Sequence, residues 1–285
     1  MRRLFLVLAA CGSSSTSPPA AGSGSGSAPT PPTKPAIADK KPDVIAPLWP
    51  DGCFMTLTRQ SDATRCAMQR RPYSTFKLAN ALIGLDAGVL KEADTPMTWD
   101  RKRVADESWY QDEWRKPQTL KTAFQLSAVP YFRTLALDLG ETRMRRGVAR
   151  LHYGNQDISG GLDKFWLSGG LRISALEQIA FVDALAHRKL DISPHAMDVV
   201  AEISAQERTP AYVVHGKTGS GSIEGHIAKD RMWLVWQVGW IERGAAMVPY
   251  AGWMEATGVT IDEARAMRKQ RVDASLAAIV TGPRT

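Results

Sequence analysis

Three hydrophobic patterns divide the chain. Residues 50–70 alternate apolar and polar positions, CFMTLTR and then ATRCAMQ about a turn at Gln60-Ser61-Asp62, which predicts a β-hairpin. Residues 74–205 are mostly helical by period. The clearest stretch is ISALEQIAFVDAL, from Ile173 to Leu185, where Ser174 followed three residues later by Glu177 forms a capping box. Residues 211–254 return to strand character in AYVVHGKTG, RMWLVWQVGWIE and AAMVPYAGWME. A last amphipathic helix starts at Ile261, with Asp262 and Glu263 in the first turn, where the helix dipole favours acidic groups. Strands at both ends with helices between predict an α/β protein of the α+β type. Its antiparallel β-sheet is built from distant segments and flanked by helices, with an all-helical subdomain inserted.

The N-terminus reads as an address rather than as part of that fold. Arg2 and Arg3 precede a short apolar run, Leu4 to Ala10, and Leu8-Ala9-Ala10-Cys11 resembles the lipobox of bacterial lipoproteins. Lipidation at Cys11, secretion without lipid and a mis-set start codon all remain open. Residues 12–42 are Gly, Ser, Pro and Thr with little to bury, the composition of a flexible tether. The expected organisation is a leader over 1–11, the tether over 12–42 and a globular domain over 43–285. No later stretch approaches the roughly 20 apolar residues that span a bilayer. The expectation is export to the periplasm, with a membrane contact only through a lipid on Cys11.

Composition adds limits. Apolar residues at 44% supply a full core, and the net charge of +7 comes from Lys and Arg that are scattered, apart from groups such as Arg101-Lys102-Arg103. No nucleic-acid motif accompanies them, so the basic surface is read as solvated and as suited to an anionic small molecule. His152, His215 and His226 lack metal-ligand spacing, and neither HxH nor HExxH occurs, so no metal is expected. Cys53 and Cys66 flank the predicted hairpin; a cross-strand disulfide and two buried thiols are both open readings.

Four short motifs follow in order. Ser74-Thr75-Phe76-Lys77 opens an apolar helical run, and its i, i+3 spacing puts a hydroxyl and an amine on one face. A serine becomes nucleophilic when a neighbouring base takes its proton, which Lys77 can do if neutral. Ser127-Ala128-Val129 precedes Pro130 and a new helix, Tyr153-Gly154-Asn155 follows, and Lys217-Thr218-Gly219 ends the strand AYVVHG. Each motif alone has a bland reading as a cap, a turn or a strand-edge lysine. Together and in this order they resemble the penicillin-recognising serine enzymes. Within these, YGN in place of SDN resembles class D, the oxacillinase-type β-lactamases. The stretches TLKTAFQLSAVPYFRTLALDLGETRM, YGNQDISGGLDKFWLSGGLRISALEQIAFVDAL and WQVGWIE carry the resemblance over about residues 48–280.

The resemblance implies the following roles. Ser74 forms an acyl-enzyme with a β-lactam substrate, and Lys77, carboxylated by carbon dioxide, is the general base, with no other cofactor. Phe76, Val129, Trp166 and Leu167 form the apolar wall that keeps the amine neutral, and the Trp166 indole N–H binds the carbamate. Ser127 and Lys217 relay a proton to the lactam nitrogen. The backbone N–H groups of Ser74 and Ser220 hold the oxyanion beside Gly219. Thr218 and an arginine near the start of the last helix bind the substrate carboxylate, with Arg268 favoured and Arg265 its competitor. Two departures stand out: Ser220 occupies a position usually aromatic, and Ala79 replaces a common proline. A β-lactam-sensing receptor domain and a penicillin-binding transpeptidase are the rival readings, since both are acylated without turnover. Preferred β-lactams and oligomeric state are not legible in the sequence.

Overall fold

The chain divides into two units, Met1–Ala36 and Ile37–Thr285. The computed structural model describes residues 48–223 and 231–281, all in the second unit. The leader, Cys11, the tether over 12–42 and His226 lie outside the described residues. Five strands, β1 (Gly52–Thr56), β4 (Ala205–Arg208), β5 (Val213–Ser222), β6 (Trp233–Arg243) and β7 (Ala246–Ala256), form one sheet in the order β1-β7-β6-β5-β4. Every neighbouring pair in it is antiparallel. A two-stranded ribbon joins β2 (Pro96–Met97) to β3 (Gln118–Thr119).

Alternation along the strands sorts side chains onto two faces. Cys53, Met55, Trp236, Val238, Trp240, Ala251 and Trp253 join the larger core, together with α5 (Ala175–Ala186) and the inserted helices. Phe54, Val235, Ile241, Tyr250 and Met254 face the other way and pack with Ala264, Val272 and Leu276 of α7 (Ile261–Thr281). The inserted part, between β1 and β4, contains α2 (Lys77–Asp86), α3 (Leu120–Gln125), α4 (Val129–Arg150) and α6 (Pro194–Ser204), with α2 packed on α4 and α6. The capping box at Ser174 forms: Glu177 Oε2 accepts from the Ser174 N–H at 2.7 Å, and Ser174 Oγ accepts from the Glu177 N–H at 3.2 Å.

Two expectations are corrected. The second arm of the predicted hairpin is a helix, α1 (Ala63–Ala67), and β1 pairs with β7 instead. Asp62 caps that helix, its Oδ1 accepting from the Arg65 N–H at 2.7 Å. Five residues of alternation cannot be told from one capped turn, and the cap decides. Cys53 and Cys66 are joined in a disulfide with Cα atoms 5.1 Å apart, so the bond ties strand to helix rather than strand to strand. Second, helix over 74–205 is interrupted by two long stretches without α-helix, 87–119 (carrying the ribbon and a 3-10 turn, Asp112–Arg115) and 151–174. The latter contains Gly154, Gly160, Gly161, Gly169 and Gly170 and carries Trp166.

Removing the disulfide reopens a short loop in the unfolded chain. Cys66→Ala is expected to lower stability by about 2–3 kcal/mol, read by urea unfolding. Reductant should produce the same loss in the parent and none in the variant.

Candidate active site

The site begins at a turn. Pro72 leads into a 3-10 turn, Tyr73–Phe76, which runs directly into α2. Tyr73 holds φ at 48°, a strained region for a bulky side chain. Its backbone N–H donates to the Trp166 carbonyl at 3.1 Å and its hydroxyl to the Ser222 carbonyl at 2.6 Å, which fix it there. Ser74 remains half-buried at the surface, while Lys77 at the start of α2 has no exposed area. Lys77 Nζ donates to Ser74 Oγ at 2.7 Å; with the amine neutral, the hydroxyl donates in the reverse sense. Phe132 presents its ring 5.5 Å from Nζ, and Phe76, Val129 and Trp166 are buried nearby in the same core. Burial holds the Lys77 ammonium well below the ordinary lysine pKa, and the charge of Lys217 lowers it further.

The turn is braced from below. Thr75 Oγ1 donates to the Pro72 carbonyl at 2.8 Å and accepts from Gln178 Nε2 at 3.1 Å. Gln178 Nε2 also donates to the Tyr153 hydroxyl at 3.2 Å. Tyr153 is fully buried, edge-on to Phe76 and Phe181, and burial raises its pKa. Tyr153 therefore acts here as a packing and hydrogen-bonding post. Gly154 takes φ of 55°, and a Cβ there would fall 2.0 Å from the Arg172 carbonyl oxygen, which excludes every other residue. Asn155 Oδ1 accepts from the N–H groups of Arg172 at 2.9 Å and Asp157 at 3.2 Å, and its Nδ2 donates to the Gly170 carbonyl at 3.0 Å. The YGN motif thus closes the loop that carries Trp166. Arg71 and Arg133 fasten that loop from outside. Arg71 donates to the Ser168 carbonyl at 3.3 Å, and Arg133 pairs with Asp163 at 2.7 Å and Glu107 at 2.6 Å.

Trp166 stacks at a tilt on Phe76 with ring centres 5.2 Å apart, and Leu167 beside it is half-buried. The Trp166 indole N–H is buried without a hydrogen-bond partner. An unsatisfied donor in the core costs about 1–3 kcal/mol, so it calls for an acceptor.

Strand β5 forms the opposite wall. Partners in β4 reach only Val213, Val214 and His215, so among the described residues its outer edge has no strand partner from Gly216 onward, where Gln206 Nε2 donates to the Gly216 carbonyl at 3.1 Å. The strand approaches the turn that carries Ser74 closely: a Cβ on Gly219 would lie 2.6 Å from the Pro72 carbonyl oxygen and 3.1 Å from Thr75 N. Lys217 is buried with Nζ 5.5 Å from the Phe124 ring, and burial with the charge of Arg268 brings its pKa down to about 7. Ser127 sits between α3 and α4 at φ 57° and donates its N–H to the Phe124 carbonyl at 3.1 Å. A cavity of about 300 Å³ borders this edge, lined by Phe124, Gln125, Gln206, Lys217 and Thr218 among others.

Both candidate arginines of α7 reach this strand region. Arg268 is buried, donates to the Trp236 carbonyl at 3.3 Å, and has its pKa lowered to about 10 by burial and by Arg265. Arg265 is more open; its Nε donates to Ser220 Oγ at 3.1 Å and it pairs with Asp262 at 2.9 Å. Sequence reading missed Gln178, Thr75, Arg71 and Arg133 as supports. Gln178 was findable, because it shares the buried stripe of its helix with Ile179 and Val182.

Comparison with known proteins agrees with this arrangement. The family model for the penicillin binding protein transpeptidase domain matches residues 43–272. The chain is 41% identical to β-lactamase OXA-10 of Pseudomonas aeruginosa over 183 residues, covering 64% of this chain and 66% of that protein. It is 39% identical to β-lactamase OXA-19 of the same organism over 191 residues, 67% of this chain and 69% of that protein. These matches span about two thirds of the relatives' length. In structure it resembles FUS-1 (OXA-85), a class D β-lactamase from Fusobacterium nucleatum subsp. polymorphum. That likeness has a TM-score of 0.71 and 29% identity, over 81% of this chain and 93% of that one. With a family model over most of its length and class D enzymes among its relatives in sequence and fold, the chain belongs to the class D β-lactamases.

Proposed function

We propose that this chain hydrolyses β-lactam antibiotics through an acyl-enzyme on Ser74 and so confers resistance to them. One observation carries the reading: a lysine amine with no exposed surface lies 2.7 Å from the hydroxyl of a half-exposed serine. Ser74 Oγ attacks the lactam carbonyl as its proton passes toward Lys77. Negative charge on the carbonyl oxygen falls to the backbone N–H groups of Ser74 and Ser220; the close approach of Gly219 to the Pro72–Thr75 turn supports this reading. As the C–N bond breaks, Ser127 and Lys217 deliver a proton to the departing nitrogen. Lys217 suits this task because its lowered pKa, about 7, lets it give up a proton near neutral pH. Water then enters, loses its proton to the Lys77 side, and frees Ser74. The ring carboxylate is held by Thr218 and Arg268, with Gly219 and Val129 shaping the cleft.

Lys77 acts in this reading as its N-carboxy derivative, in which condensed carbon dioxide supplies a carboxylate base. The surroundings fit: the amine is buried and pushed toward neutrality, and the Trp166 N–H is a buried donor awaiting an acceptor. Export to the periplasm, with or without a lipid on Cys11, completes the reading. No helix among the described residues is long and apolar enough to cross a membrane.

The purified protein should turn over a chromogenic cephalosporin continuously while a fluorescent penicillin labels it only transiently. Stoichiometric, persistent label without turnover would instead indicate a sensor or a transpeptidase. Ser74→Ala should lose both label and turnover, by at least ~10³-fold, as expected when the attacking group itself is removed. Hydrolysis by the pure variant would rule out Ser74 as nucleophile.

The buried lysines also set a pH dependence. The unfolded chain keeps lysine protons up to the ordinary value near 10.5, whereas folded Lys217 sheds its proton near 7 and Lys77 also sheds its own well below that ordinary value. The unfolded state therefore binds more protons across this window, and stability rises with pH through it. The thermal midpoint should climb between pH 6 and 9, and Lys77→Met should flatten that climb. At pH 6 the same variant should melt about 2–8 °C higher, equivalent to roughly 1–2 kcal/mol. A lower midpoint with an unchanged slope would mean that Lys77 carries no burial cost.

A further inference from the structure

Three pieces of chain, far apart in sequence, meet around the Lys77 amine. Helix α2 carries the amine, and α4 lays the Phe132 ring 5.5 Å from Nζ. The loop over 151–174 brings Trp166, stacked on Phe76, with its indole N–H buried and without a hydrogen-bond partner. Specific bonds join the pieces. Asn80, one turn after Lys77, donates Nδ2 to the Phe132 carbonyl at 3.1 Å, which ties α2 to α4. Arg133, the next residue of α4, ties that helix to the loop: Nε and Nη2 donate to Asp163 Oδ2 at 3.0 and 2.7 Å. Its remaining nitrogen, Nη1, donates to Glu107 Oε1 at 2.6 Å and to the Tyr110 hydroxyl at 2.8 Å, so the guanidinium is clamped from both sides.

Asp163 is well placed to transmit this hold. The Gly161 carbonyl accepts from the Lys164 and Phe165 N–H groups at 2.9 and 2.8 Å, and the Lys164 carbonyl accepts from those of Leu167 and Ser168 at 2.8 and 2.9 Å. Asp163 and Trp166 therefore lie one turn apart on a stiff, hydrogen-bonded segment, and fixing one fixes the other. The side chains of Arg133 and Asp163 are only 10% and 14% exposed, so water and salt screen the pair little. We propose that Arg133 is a positioning residue for the general base: through Asp163 it holds the Trp166 N–H at the place where a carboxylated Lys77 needs a donor. A hydrogen bond depends steeply on distance and angle, so a loop free to drift loses much of it. This inference rests on the carboxylated-lysine reading and deepens it.

The test reads the modification itself, by carbon-13 NMR of the whole protein titrated with labelled bicarbonate at about pH 8. In Arg133→Gln the bicarbonate concentration giving half of the maximal carbamate resonance should rise about three- to tenfold, part of the ~10- to 100-fold that a full hydrogen bond to a charged group is worth. The double variant Arg133→Gln/Asp163→Asn removes the pair without leaving a charge behind, and should rise by a similar factor. Arg133→Lys keeps a cation beside Asp163 and should stay within about twofold of the parent. Arg145→Gln, which breaks the exposed pair with Glu141 on the same helix, should leave the titration unchanged. A lower thermal midpoint in Arg133→Gln and in the double variant, with the parent's half-saturation in both, would overturn the proposal and leave Arg133 a purely structural residue. An equal rise in Arg145→Gln would overturn it too. A parent protein that gives no carbamate resonance at all would instead remove the carboxylated-lysine reading, and this inference with it.

Discussion

Taking the Lys77 amine out of water is the constraint on which the rest of the structure depends. A buried ammonium without a full set of partners is costly enough that the group sheds its proton instead. That neutrality is what makes it useful beside Ser74. The fold secures it by stacking aromatic residues over the start of α2: Phe76, Phe132, Tyr153, Phe165 and Trp166 are all buried in the same core. The same burial imposes a second requirement, since Ser74 three residues earlier must stay open to substrate. The strained turn at Tyr73 meets it, lifting the serine to the surface while the lysine points inward. Thr75, Gln178 and the Tyr153 hydroxyl hold that turn, and Gly219 lets β5 close against it.

Lys217 faces a related problem and resolves it differently. Burial lowers the proton affinity of each of these groups, and positive charge adds to it: Lys217 acts on Lys77, Arg268 on Lys217, and Arg265 on Arg268. Without substrate the site is therefore short of negative charge. A ligand with a carboxylate relieves that imbalance, which ties recognition of an anionic β-lactam to the same burial that neutralises the base. Strain at Tyr73 and Ser127 belongs to this account too, for each lies at the sharp entry to a helix, at or next to a serine of the proposed reaction.

Much of this was legible in the residues. The strand pattern over 211–254, the capping box at Ser174 and the order of the four motifs led to the sheet, the helices and the Ser74–Lys77 pair without coordinates. What escaped were features decided by tertiary contact. The segment around Cys66 alternates like a strand but is held as a helix by the Asp62 cap, and the strand partner of β1 lies some 200 residues away. The YGN motif is legible as a motif, but its local work is not: Tyr153 is buried and, among the described residues, Asn155 bonds within the loop that carries Trp166. Arg71 and Arg133, the loop's outer fastenings, have no sequence signature because their partners are backbone carbonyls and distant carboxylates.

The most direct test of a neutral, reactive Lys77 is carbon-13 NMR of the folded protein in labelled bicarbonate. A lysine kept neutral by burial should give a single carbamate resonance at about pH 8. The resonance should weaken toward mildly acid pH and be absent in Lys77→Met. Absence of any such resonance at saturating bicarbonate across that range would contradict the account, because a neutral amine beside Ser74 would then not be taking up carbon dioxide.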